Sequence, residues 1–148
     1  MKISQRGHAF FKYRWCFIYL VLMLPLNASG GHVAGSKNIN NSKLQELLDS
    51  KVPLYDVRRN DEWHQTGIIQ GARTLTFVDR QGRIKKDFLK KFTAEVDKDQ
   101  PVIVMCRAGN RSDALTHLLV EKYGYTQVYN LRDGIVSWIY EKKSVVNP

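Results

Sequence analysis

Pro101-Val102-Ile103-Val104-Met105-Cys106-Arg107-Ala108-Gly109-Asn110-Arg111-Ser112 passes without a break from an apolar segment into a cysteine, a glycine and two arginines. The run up to Met105 is continuous, not alternating, and rich in β-branched residues. Such a run reads as a short strand buried on both faces, as in a parallel sheet. Further on, Ala114, Leu115, Leu118 and Leu119 form a helical stripe that ends near Gly124, so a helix is expected to begin at about Arg111 or Ser112. Cys106 therefore stands at the carboxyl end of a buried strand, one tight loop from a helix N-terminus.

Working outward, Tyr125 to Leu131 supplies another strand, and Ile135, Trp138 and Ile139 mark the apolar face of a last helix. On the other side, Ile84, Phe88, Leu89, Phe92 and Val96 recur at helical spacing and predict a helix over 84–96. Ile68 to Thr76 reads as extended, interrupted by Gly71, and Arg58 to Thr66 as a polar turn. Val52 to Val57 reads as a strand whose start is marked by Pro53. Ser42 followed by Gln45, with Leu44, Leu47 and Leu48 on one face, predicts a capped first helix. Strands and helices alternate through short connections, the pattern of an α/β domain with a mostly parallel central sheet flanked by helices on both faces.

The loop is suited to a reactive sulfur. Free amides at a helix N-terminus and the positive end of its dipole favour an anion, and thiols in such settings ionise below their ordinary ~8.5. Gly109 allows the loop to turn its amides inward as a nest for negative charge. Arg107 and Arg111 add forked cations matched to an oxyanion. A cation at a helix start opposes the dipole, so Arg111 calls for a bound anion or a carboxylate partner. Ser112 reads either as a helix cap or as part of the loop.

Leu54-Tyr55-Asp56-Val57-Arg58, Glu62-Trp63, Gly67-Ile68-Ile69-Gln70-Gly71-Ala72, the segment Val102 to Ser112, and Leu131-Arg132-Asp133-Gly134 with Trp138 together resemble the rhodanese domain from about Ser42 to Tyr140. The resemblance implies a single rhodanese-like domain over 42–148 and a sulfurtransferase activity of the thiosulfate type. Cys106 would take a sulfane sulfur from a small anionic donor such as thiosulfate, carry it as a persulfide, and pass it to cyanide or an external thiol. Arg107, Ala108, Gly109, Asn110, Arg111 and Ser112 would bind the substrate. Asp56 and Arg58 would support the loop, and Asp56 would orient its groups. The chain departs from the family's frequent pattern at Ile68, where a histidine is common, and at Asp133, where a glycine is.

The ends of the sequence bound the setting. Lys2, Arg6, Lys12 and Arg14 form a basic leader without acids, followed by an apolar run from Trp15 to Leu26 and then Ala28, Ser29, Gly30 and Gly31. That order reads as a secretory signal peptide over 1–30, cut near 28–30, with a flexible segment over 31–41. The run is about a dozen residues, short of the ~20 needed to span a membrane. A buried N-terminal helix or an uncleaved anchor is the alternative. Export to a periplasm is expected, with no membrane span after cleavage.

The chain carries 23 Lys and Arg against 14 Asp and Glu, a net +9; without the leader the balance is 19 against 14, or +5. Lys85, Lys86, Lys90 and Lys91 fall on the polar side of a periodic segment, so no nucleic acid partner is expected. With Cys16 removed, Cys106 is unpaired and cannot staple the fold. No Cys and His spacing suggests a metal site, and no cofactor is implied. His64 and His117 read as solvated or packing residues, and Glu62 as a turn or ion-pair residue.

Other functions remain open at this level: a sulfur-carrier or partner-binding module without catalysis, and a cysteine-dependent phosphatase or arsenate reductase. The latter enzymes place their arginine six positions after the cysteine, whereas Arg111 is five after Cys106. The smaller ring suits one sulfur better than a phosphoryl group.

Overall fold

The computed structural model describes residues 35–148. The expected signal peptide over 1–30 lies outside the described residues, as do residues 31–34. The chain runs β1 (Ser36–Ile39), α1 (Asn41–Asp49), β2 (Leu54–Asp56), α2 (Asn60–Thr66), β3 (Arg73–Thr74), α3 (Phe88–Glu95), β4 (Val102–Met105), α4 (Asn110–Tyr123), β5 (Val128–Leu131) and α5 (Gly134–Tyr140). The strands form one five-stranded sheet in the order β1-β5-β4-β2-β3, and every neighbouring pair is parallel.

Alternation along β4 explains why it is apolar throughout. Val102, Val104 and Cys106 point into a core shared with Phe88 and Phe92 of α3 and Leu115 and Leu119 of α4. Ile103 and Met105 point the other way, into a core with Leu44 of α1 and Ile135 and Trp138 of α5. A central parallel strand has no wet face, so each position is apolar. The α3 side is packed with tilted rings, Tyr55 on Phe92 at 4.9 Å and Phe77 on Phe88 at 5.0 Å between centroids.

The structure corrects the sequence reading in several places. Within the segment expected to be flexible, Ser36–Ile39 is a strand paired with β5; its single buried residue, Ile39, leaves no pattern to read. The first helix begins at Asn41, and its cap is Asn40, whose Oδ1 accepts from the Lys43 amide at 2.9 Å; Ser42 is exposed. The polar turn over 58–66 is instead the helix α2. The helix over 84–96 starts only at Phe88, because Ile84 is drawn into an antiparallel bridge with Val78.

Candidate active site

The chain reverses its direction of winding between β2 and β4. From β2 it moves outward to the edge strand β3, and from β4 it moves the other way to β5. A crevice opens at the carboxyl ends of strands where such a reversal occurs, and ligands of α/β proteins bind there. Asp56 and Arg58 lie at the end of β2, and Cys106 at the end of β4. The Val57 amide donates to the Met105 carbonyl at 2.9 Å, which keeps the two strand ends together.

Cys106 is buried, 1% exposed, and is the free cysteine of the described residues. Its loop is folded by α5. The Ile135 amide donates to the Cys106 carbonyl at 3.0 Å, and the Val136 amide to the Arg107 carbonyl at 3.1 Å. These are first-turn amides of α5, which would otherwise lack partners. The C=O and N–H of a trans peptide point in opposite directions, so the amides of Arg107 and Ala108 are turned away from α5, toward the open side of the loop. Among the described residues, the backbone amides from Arg107 to Ser112 have no hydrogen-bond acceptor. They form a cradle of donors around the cysteine.

Two glycines make this possible. Gly109 has φ 92°, and a Cβ there would lie 1.7 Å from the Arg132 carbonyl oxygen. Gly134 has φ 60°, and its Cβ would lie 2.3 Å from the Arg107 carbonyl oxygen. The loops after β4 and β5 therefore touch backbone to backbone, at a distance no side chain permits. Gly134 belongs to the Asp133-Gly134 pair, and its packing on the cysteine loop is a role the sequence reading did not assign.

The remaining loop residues take distinct positions. Arg107, Ala108 and Asn110 are exposed. Ser112 is fully buried, three residues into α4 from Gly109, and is not the cap. Its hydroxyl lies 2.9 Å from the Gly109 carbonyl and 3.4 Å from the Cys106 sulfur. One proton serves two acceptors, so the hydroxyl can turn to the sulfur when negative charge collects there.

Arg111 has the carboxylate partner that its position required. Its Nη1 and Nη2 donate to Glu62 Oε2 and Oε1, each at 2.7 Å. Burial pushes the Glu62 carboxyl up, but the hydrogen bonds from Arg111 and the Arg59 amide, with both guanidinium charges, outweigh it and hold the group at about 2. Arg111 is raised above the ordinary arginine value, first by these hydrogen bonds and, among smaller causes, by the Cys106 sulfur beside it. Glu62 was legible as an ion-pair residue, but its partner lies 49 positions away and no local pattern names it.

Asp56 and Arg58 are both buried and bonded to each other, Arg58 Nη2 to Asp56 Oδ2 at 2.5 Å. Arg58 also donates to Thr66 Oγ1 at 2.6 Å and to the Gly67 carbonyl at 2.8 Å. Asp56 makes its side-chain hydrogen bonds to Arg58 and to no loop residue. Arg58 in turn bonds to α2, which carries the Glu62 that pairs with Arg111. His117 lies on the surface between Asp113 and Glu121, and His64 is exposed.

Fold and site together define an α/β protein that presents one buried cysteine inside an amide-lined, arginine-flanked loop at the end of a central parallel strand. The chain belongs to the rhodanese-like domain family, whose model matches residues 40–141. The thiosulfate sulfurtransferase GlpE of Pseudoalteromonas translucida is 30% identical over 103 residues, covering 69% of this chain and 88% of that protein. The adenylyltransferase and sulfurtransferase UBA4 of Saccharomyces cerevisiae is 36% identical over 61 residues, 41% of this chain, and the match spans 13% of that protein's length. A rhodanese-related protein from Thermoplasma volcanium superposes with a TM-score of 0.58 at 25% identity, over 76% of this chain and 99% of that one.

Proposed function

We propose that the protein is a sulfurtransferase that carries a sulfane sulfur on Cys106. The observation that carries this reading is the loop itself, a buried cysteine ringed by amides from Arg107 to Ser112 that have no acceptor among the described residues. The Cys106 thiolate attacks the outer sulfur of thiosulfate or a similar anionic donor. The donor's S–S bond breaks, its electron pair leaves with sulfite, and Cys106 keeps the outer sulfur as a persulfide anion. Arg107 meets the donor's oxyanion at the rim, and the amides hold the persulfide. Cyanide or an external thiol then takes the outer sulfur, and the electron pair of the persulfide S–S bond returns to Cys106.

Replacing Cys106 with Ala is expected to abolish thiocyanate formation from thiosulfate and cyanide. A variant that kept this activity would overturn the assignment. Phosphate chemistry is the weaker reading, because Arg111 stands five positions after Cys106, a ring that suits one sulfur better than a phosphoryl group. We also place the working protein outside the cytoplasm, on the strength of the leader. N-terminal sequencing of exported protein should then begin near residues 28–30, and an exported form starting at Met1 would contradict cleavage.

A further inference from the structure

One cleft shares residues with the cysteine loop. It has a volume of about 460 Å³ and is lined by Phe77, Val78 and Ile84 on its apolar side, by Arg59 and Arg80, and by Asn110 and Arg111 of the loop. Arg111 and Asn110, which follow Cys106 in the same loop, are the wall that the cleft shares with it. The concavity at Ser36, Lys37 and Tyr129 and that at Leu48, Gly71 and Arg73 share no residue with the loop.

The cleft is built on a stiff turn. Asp79 Oδ1 accepts from the amides of Gln81 and Arg83, each at 2.9 Å, and the Lys85 amide returns to the Phe77 carbonyl at 2.9 Å. This turn pulls Ile84 out of the helix that its spacing predicts and leaves it 46% exposed, an apolar side chain facing a cavity without a core partner. It also lifts Arg80 to the mouth, where the Asp61 carboxylate pairs with Arg80 at 3.2 Å and with Arg59 at 3.3 Å. Around the cleft Arg59, Arg80, Arg83 and Arg111 face Asp61, Glu62 and Asp79, which leaves one cation in excess. Asp79 is tied into its turn and Glu62 to Arg111. The Arg80 pair is solvent-exposed, the kind that exchanges partners readily.

We infer that this cleft seats the sulfur acceptor, a small thiol with an apolar body and a carboxylate. Its aliphatic part lies on Phe77, Val78 and Ile84, and Arg80 takes its carboxylate. A cleft of this size, mostly apolar with a few placed charges, is a usual small-molecule site. The inference rests on the sulfur-transfer reading above. The acceptor gives up its S–H proton to solvent, and its thiolate attacks the outer sulfur of the Cys106 persulfide. The bond between the two persulfide sulfurs breaks, the electron pair returns to Cys106, and the acceptor leaves as its own persulfide. Cyanide, too small to use the cleft, needs none of it.

The test compares acceptors on the thiosulfate-loaded protein: cyanide, 6-mercaptohexanoate, and its neutral analogue 6-mercaptohexanol. The wild type should show a lower KM for the carboxylate. Arg80→Glu should raise the KM for 6-mercaptohexanoate roughly tenfold with little change for 6-mercaptohexanol. Ile84→Asp should raise both, and cyanide turnover should be unchanged in either variant, which also reports that each is folded. Unchanged thiol KM values in both variants would overturn the cleft while leaving sulfur transfer intact. Absence of cyanide turnover in the wild type would overturn sulfur transfer, and the cleft with it.

Discussion

Arg111 sits in the first turn of α4, where the helix dipole disfavours a cation, and only its bidentate pairing with Glu62 makes the position tolerable. The pair is nearly dry on the carboxylate side, with Glu62 8% exposed. A carboxyl held at about 2 instead of 4.5 contributes roughly 3 kcal/mol to the folded state. Its pKa is depressed in the folded protein, so this stability is complete above pH 4.5 and is lost as the pH falls toward 2. Glu62→Gln should therefore cost about 2–3 kcal/mol at neutral pH and flatten the fall in stability between pH 4.5 and 2, as read by denaturant titration across that range. A variant with the wild-type acid profile would remove Glu62 from the acid-sensitive groups. Arg107, by contrast, is exposed and free to meet a ligand. Arg107→Ala should raise the thiosulfate KM by about tenfold or more, the value of one charge-assisted hydrogen bond, while thermal stability stays put. The strand, loop and helix around Cys106 were legible because they are contiguous in sequence. The Glu62 contact was not, because it depends on where α2 lands.

Among the elements, those with a repeating apolar face were readable and those held by single contacts were not. The helix α4 shows its stripe through Leu115 and Leu119, and β4 its unbroken apolar run. The helix α2 has one large apolar residue, Trp63, and is fixed instead by the Glu62 side chain, which accepts from the Arg59 amide at 3.1 Å, and by Arg58 at its far end. Arg58 joins the end of β2 to the last turn of α2, so it sets the place from which Glu62 reaches Arg111. Arg58→Met should leave Asp56 as an unpaired buried charge and cost roughly 3–5 kcal/mol, measured as a fall in the denaturation midpoint. The contact between the loops after β4 and β5 is equally intolerant. Gly134→Ala should lower both stability and turnover, since its Cβ meets the Arg107 peptide whose carbonyl α5 must bind. A variant with unaltered activity would show that the loop does not need this close approach.

Across the whole molecule, the parallel order β1-β5-β4-β2-β3 brings Cys106 to the crevice where the winding reverses, with a core on each face of the sheet to hold β4 still. The α/β class followed from the alternation of elements. The strand order did not, and neither did β1, whose Ser-Lys-Asn-Ile sequence becomes a strand only because β5 offers it an edge. Cys106 is the free cysteine of the described residues, and the proposed sulfur transfer turns on it. The most direct test is the intact mass of the protein after incubation with thiosulfate and removal of excess reagent. Persulfide formation predicts a gain of one sulfur atom, absent in Cys106→Ala and reversed by cyanide; an unchanged mass, or a gain that persists in the alanine variant, would contradict sulfur transfer through Cys106.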